Sequence, residues 1–200
     1  MTKQWSLDKV CDEHGYDEVE KMESDPHQDF IRWLDEKYSE KTFSVLDVGC
    51  CSGRLLKFLP DTLETYIGVD INNKSIMSGK EYFSDNPKAE FHLFDIEDDN
   101  IQDIVNEGID IIYFDSTFTM LQNPFECLGE LFKFCNVVYF ARTPYTDENT
   151  SVSGHQWAGM DTFSENWKFS KADLEKLVPT NWNLKPVSTN NFIIEKSSEV

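Results

Sequence analysis

Short apolar runs alternate along this chain with segments in which apolar residues return every three or four positions. The runs predict strands at FSVLDVG (43–49), TYIGVD (65–70), AEFHLFD (89–95), IDIIYFD (109–115) and NVVYFAR (136–142). The centre of the fourth is continuously apolar, as in a strand covered on both faces. Between the runs, residues 27–38 bring Phe30, Ile31, Leu34 and Tyr38 near helical spacing, with Asp25 before Pro26 as a possible cap. Further helices are predicted at RLLKFLP running into Pro60, at NKSIMSGKEYFSDNP ending at Asn86-Pro87, briefly over 98–106, and over 123–134. Strands alternating with helices at short intervals predict a layered α/β fold with a parallel sheet.

After Arg142 the rhythm changes. TPYTDENTSVSGHQWAGMDT is polar and rich in turn residues, and reads as a long loop of the kind that often forms a functional lid. Ser170 then opens SKADLEKLVP, with Asp173 three positions later in a capping-box pattern. NLKPVST and NFIIEK close the chain as an antiparallel pair turning at Asn190-Asn191. Pro186 places the first of them at a sheet edge or bulge. The chain carries no internal repeat and no low-complexity segment.

A chain of 200 residues suits one domain with a sizeable core. Asp and Glu number 37 against 18 Lys and Arg, a formal net charge of −19. That field repels phosphate backbones and anionic membranes, so neither nucleic acid nor a membrane is an expected partner. A small substrate in a local pocket remains open. No apolar stretch is long enough for a transmembrane helix, and the acidic opening residues lack a signal-peptide core, so a cytoplasmic location is expected. Five cysteines, an odd count without regular spacing, agree with a reducing compartment.

The segment SVLDVGCCSGR (44–54) carries the most chemistry. A buried strand meets an acid, then Gly49, a short turn, Gly53 and a helix. Gly49 permits a backbone closed to most side chains or a close ligand approach, and helix-start amides there can hold an anion. Adjacent Cys50 and Cys51 are poorly placed for a disulfide or one tetrahedral metal, so no metal site is expected. They read as one core cysteine and one lining the turn. Asp70 ends the second strand, where a carboxylate can accept two bonds from a ribose diol. Asp95 ends the third and can reach an adenine amine. Asp47, Asp70, Asp95 and Asp115 thus fall at four successive strand ends, a more specific pattern than any glycine motif alone.

Over residues 43–142, extended by the terminal helix and hairpin to about 195, the sequence resembles the class I S-adenosylmethionine-dependent methyltransferases. The resemblance implies a three-layer Rossmann-like fold with a mostly parallel seven-stranded sheet and a C-terminal antiparallel hairpin. It divides the chain into an N-terminal helical segment or lid, 1–42, and an S-adenosylmethionine-binding region, 43–200, within a single domain. SVLDVGCCSGR is similar to the family's first motif. By that likeness Asp47 organises the turn near the methionyl amine, and Gly49, Cys51 and Gly53 pass beneath the cofactor. YIGVD resembles the second motif, which assigns Asp70 to the ribose hydroxyls and Ile71 to the cofactor site. HLFDIED implies that Asp95 meets the adenine amine while Ile96 packs on the ring. IIYFDSTFTML resembles the fourth motif, placing Asp115 beside the methionyl end. The family usually has glycine where Cys51 stands. A dinucleotide-binding oxidoreductase is the rival fold reading, but DVGCCSG lacks the three-glycine register.

The resemblance implies methyl transfer to a small-molecule acceptor, at oxygen or nitrogen rather than carbon. The alternative is a non-catalytic binding or regulatory module on the same fold. Asp115 and His155 are the candidate catalytic groups, a base being useful when the acceptor must lose a proton. Arg142 and Tyr145, just beyond the fifth strand, are candidates for substrate binding, and Arg142 equally suits pairing with an acidic neighbour. DSTFTML differs from the Asn/Asp-Pro-Pro-Tyr pattern of many amino-group methyltransferases acting on nucleic acid or protein amides. Trp157, Phe163, Trp167 and Phe169 either shape a pocket or tie the terminal helix to the core. Tyr16 or His27 is a lesser candidate for contact with the methionyl part.

Overall fold

The buried apolar runs become the strands of a mostly parallel sheet. The computed structural model describes residues 27–105, 108–156 and 163–197, the side chains of 154–156 and 163–165 excepted. Seven strands lie in the order β3-β2-β1-β4-β5-β10-β9. They are β1 (Phe43–Val48), β2 (Leu63–Asp70), β3 (Ala89–Leu93), β4 (Ile109–Asp115), β5 (Cys135–Ala141), β9 (Trp182–Ser188) and β10 (Asn191–Lys196). The remaining β6 (Tyr145–Thr146), β7 (Ser151–Gln156) and β8 (Phe163–Ser170) form a second, three-stranded sheet in the order β6-β8-β7. The helices are α1 (Gln28–Tyr38), α2 (Asn73–Tyr82), α3 (Pro124–Leu131) and α4 (Lys171–Leu177). The chain divides into two compact units, Met1–Asn106 and Glu107–Val200.

In the first unit β1 runs parallel to β2, with Asp47 opposite Gly68, and β2 runs parallel to β3, with Asp70 opposite Leu93. α1 buries Phe30, Trp33, Leu34 and Tyr38. Trp33 thus joins the expected stripe while Ile31 is only half-buried. The expected cap Asp25 lies outside the described residues. The expected helix 54–60 is shorter: a 3-10 turn, Leu55–Phe58, ends as Leu59 goes extended (φ −69°, ψ 142°). Leu59 precedes Pro60, whose ring disfavours the helical region for the residue before it. The expected helix over 98–106 is likewise one 3-10 turn, Ile101–Asp103, capped by Asn100.

Three glycines make a slot for one ring. A Cβ at Gly53, Gly68 or Gly79 would stand 2.5, 3.0 or 2.9 Å from the Phe91 ring. Phe91 therefore closes the turn after β1, the face of β2 and helix α2 onto β3. Tyr66 and Phe83 flank it, with ring centroids 5.6 and 5.8 Å away.

In the second unit β4 and β5 are parallel, and β10 is antiparallel to both β5 and β9. Pro186 lies in β9, the edge strand, a position where proline is tolerated. The hairpin turns at Thr189-Asn190, one residue earlier than expected, because Asn191 already pairs with Ser188. Residues 143–156 are not one loop. β6 and β7 form there and pair with β8, which contains the aromatic segment before Ser170. Phe118, Phe140 and Phe169 pack at the centre, and Trp167 Nε1 donates to Leu121 O at 2.8 Å. Trp167 and Phe169 thus tie β8 to the segment after β4; Trp157 and the Phe163 side chain lie outside the described residues. Ser170 caps α4, accepting from Asp173 N. Among the described residues no helix is long and apolar enough to cross a membrane.

Candidate cofactor and acceptor sites

The turn after β1 is built on two carboxylates and three left-handed residues. Val69 O accepts from Gly49 N (2.8 Å) and Cys50 N (3.0 Å), which turns the chain back as β1 ends. Gly49 (φ 75°), Cys51 (φ 50°) and Gly53 (φ 84°) all have positive φ. Cys51 therefore adopts the conformation for which glycine is suited, at a strain of about 1–2 kcal/mol. Cys50 is buried and Cys51 half-exposed.

Asp70 holds this turn from β2. Its Oδ2 accepts from Cys51 N at 2.9 Å and its Oδ1 from Asn72 N at 2.8 Å. Burial pushes its carboxyl above the usual range, while the N–H groups of Asn72, Cys51 and Ile71 pull it back. Asn72 then caps α2, its Oδ1 accepting from Ser75 N at 2.9 Å. Each Asp70 oxygen has a second lone pair, which suits a diol. Beside the buried acid, Ile71 is 41% exposed, and Leu93, opposite Asp70 in register, is 55% exposed. A polar acceptor next to apolar surface fits a nucleoside, whose sugar is hydroxylated and whose base is flat.

Asp47, buried on β1, accepts from Tyr66 Oη at 2.6 Å. Burial first, and then the Asp47 charge, push the Tyr66 phenol up. Burial also pushes up the Cys50 thiol, with Asp47 and Asp70 adding to it in that order. The two acids thus converge on the turn and make it electronegative. That field suits a ligand with cationic groups, as S-adenosylmethionine has in its sulfonium and ammonium.

Asp95 lies two residues beyond β3 and closes a tight turn. Its Oδ1 accepts from Glu97 N at 3.1 Å, its carbonyl from Asp98 N and Asp99 N, and its own N–H reaches Asp99 Oδ2 at 2.8 Å. Ile96 is half-buried beside it.

In the second unit Asp115 and Arg142 are paired. Arg142 Nε donates to Asp115 Oδ1 at 2.5 Å and Nη2 to Oδ2 at 2.7 Å. Of the two partners foreseen for Arg142, the structure contains the acidic neighbour. Tyr145 meets Phe192 edge-on at 5.3 Å and is half-buried. The backbone of His155 is in β7, and its side chain lies outside the described residues, as does Tyr16. His27 is buried at the start of α1, its ring 6.4 Å from that of Phe58.

Sequence reasoning missed Tyr66, Asn72 and Phe91. Asn72 had a local signal, an N-cap residue three before Ser75. Tyr66 and Phe91 depend on contacts between strands and had none.

Residues 39–157 match the family described as a methyltransferase domain. No curated protein sequence matches the chain. Among solved structures, a S-adenosylmethionine-dependent methyltransferase from Clostridium acetobutylicum ATCC 824 is similar at TM-score 0.65 and 15% identity, over 97% of this chain and all of that one. The N-terminal domain of EvdMO1, crystallised with S-adenosylhomocysteine (SAH) and D-fucose, is similar at TM-score 0.62 and 12% identity, over 96% and 97% of the two chains. The plantazolicin methyltransferase BpumL, in complex with SAH, is similar at TM-score 0.62 and 16% identity, over 96% and 91%. A match over more than half the chain, on the fold and turn described above, shows that this chain is an enzyme of the class I S-adenosylmethionine-dependent methyltransferase family.

Proposed function

We propose that this enzyme methylates oxygen or nitrogen of a small-molecule acceptor. The observation that carries the cofactor half is the buried Asp70, tied to Cys51 N and Asn72 N beside exposed Ile71. Asp70 accepts the ribose hydroxyls, Ile71 offers an apolar face to the nucleoside, and Asp95 and Ile96 take the adenine. Asp47 serves the methionyl amine, and Gly49, Cys51 and Gly53 let the backbone come close. S-adenosylmethionine, when bound, supplies a methyl on a sulfonium centre and leaves as SAH. The chain's part is alignment and exclusion of water.

The acceptor half rests on the charge. A net charge of −19 disfavours polyanionic acceptors and membrane surfaces, and suits a small molecule in a cytoplasmic setting. The EvdMO1 domain was crystallised in the presence of D-fucose, and the plantazolicin methyltransferase BamL in complex with a triazolic desmethylPZN analog, both small molecules. Asp115, Arg142 and Tyr145 belong to acceptor handling, with His155 as a candidate base. Residues 1–42 serve as a lid.

The test is incubation of the purified enzyme with methyl-tritiated S-adenosylmethionine and cell extract, followed by separation of dialysable from macromolecular material. Label appearing in a dialysable product resolved chromatographically from S-adenosylmethionine, and lost with a folded Asp70→Ala enzyme, supports the proposal. Label confined to nucleic acid or protein overturns it.

A further inference from the structure

The ends of β4 and β5 carry an arrangement that core packing does not require. Ser116 (φ 60°) and Arg142 (φ 48°) are both left-handed without being glycine. They are neighbours: Ser116 N donates to Ala141 O at 3.0 Å, and Asp115 stands opposite Ala141 in register. Arg142 and the adjoining Thr143 are held together at three points. Arg142 Nε and Nη2 grip Asp115, the Arg142 backbone N–H reaches Asn191 Oδ1 at 2.8 Å, and Thr143 N reaches Asn190 O at 2.8 Å.

Stability alone does not account for this. Exposed ion pairs add little to it, and left-handed residues with side chains subtract from it. Such conformations persist where the surroundings over-determine them, and they concentrate at ligand clamps. The exposure of the pair is unequal as well. The Asp115 side chain is 12% exposed and that of Arg142 51%. In a chain with twice as many acids as bases, the pair turns its cation outward. A guanidinium offers two hydrogen-bonding edges. The Nε/Nη2 edge faces Asp115, and the Nη1/Nη2 edge has the spacing to grip a second planar carboxylate at the same time.

We propose that Arg142 recognises a carboxylate on the methyl acceptor. Asp115 is a positioning residue that sets the guanidinium, not the base that takes the acceptor's proton. The inference rests on the methyl-transfer reading above and narrows its acceptor to an acid.

The experiment is nitrogen-15 NMR of the SAH-loaded enzyme, with the Arg142 Nε–H signal identified by its absence from Arg142→Lys. Sodium benzoate, benzamide and inorganic phosphate are the probes. The expected result is a saturable benzoate shift of that signal, with benzoate binding about tenfold tighter than benzamide. Arg142→Lys should lose most of that preference, because it keeps the charge and loses the fork. Asp115→Asn should weaken benzoate binding, because the guanidinium loses the carboxylate that sets it. SAH binding with equal benzoate and benzamide affinity, or with an unmoved Arg142 signal, overturns the inference alone. Phosphate binding as tightly as benzoate overturns the assignment to a planar carboxylate. Failure of SAH to bind sinks the methyl-transfer reading and this inference with it.

Discussion

Tyr66 Oη donates to Asp47 Oδ2 at 2.6 Å, joining β2 to β1 inside the protein. Tyr66 is fully buried and Asp47 is 3% exposed, so water cannot replace the bond. Tyr66→Phe removes only the hydroxyl and leaves a buried carboxylate one donor short. We expect a stability loss of about 1–3 kcal/mol in urea titrations. We also expect weaker SAH binding, because Asp47 loses its orientation. An unchanged urea midpoint would show that the bond is dispensable.

Cys51 and Gly53 share a turn, and substitutions there should act with opposite signs. Cys51→Gly relieves a side chain at φ 50° and should stabilise by about 0.5–1 kcal/mol. Gly53→Ala places a Cβ 2.5 Å from the Phe91 ring at φ 84°, and should destabilise by about 3 kcal/mol or more. Thermal unfolding of both variants checks the pair. Two shifts of the same sign would contradict the turn's geometry.

Acid should move stability and cofactor affinity in opposite directions through Asp70. Its folded pKa is raised by burial above its unfolded value. Folding therefore favours its proton. Its contribution to stability is fully present below the unfolded pKa and is lost as pH rises through the folded one. The proposed ribose contact uses the ionised carboxylate, so SAH affinity should fall on acidification from a pH above the ordinary aspartate range. Carbon-13 NMR of the Asp70 carboxyl, with calorimetry at each pH, reads both. A normal or lowered Asp70 titration would refute the sign.

The thiols should differ sharply in reactivity. Cys51 is half-exposed, whereas Cys50, Cys127 and Cys135 are buried. Burial pushes the Cys135 thiol up to about 12 and Cys50 well above its usual value. The thiolate is the reactive form. Iodoacetamide at pH 8, read by peptide mass mapping, should therefore label Cys51 first among these four, and bound SAH should slow it. Faster labelling of Cys50 or Cys135 would contradict the packing of the turn and of β5.

The parts legible in the sequence are those set by neighbours along the chain. The apolar run IDIIYFD gave away β4, and Pro186 gave away the edge position of β9. Asp70 and Asp115 were legible because each closes an apolar run and ends a strand, β2 and β4, whereas Asp95 lies two residues beyond β3. What was hidden depends on distant partners. β7 reads as a polar loop because SVSGHQ is a strand only through its pairing with β8. The Phe91 slot needs glycines from a turn, a strand and a helix, which no local pattern links. The grip of Arg142 on Asp115 spans 27 positions. The sequence showed both residues at strand ends, but not that the parallel register of β4 and β5 sets them side by side.

Asp70 is the centre of the account, and its direct test is calorimetric titration of the purified enzyme with S-adenosylmethionine and SAH, beside NAD and a folded Asp70→Ala variant. The account predicts that both sulfur nucleosides bind, that the substitution weakens both at least tenfold or so, and that NAD does not bind. Equal binding by wild type and variant, or binding of NAD alone, would contradict it.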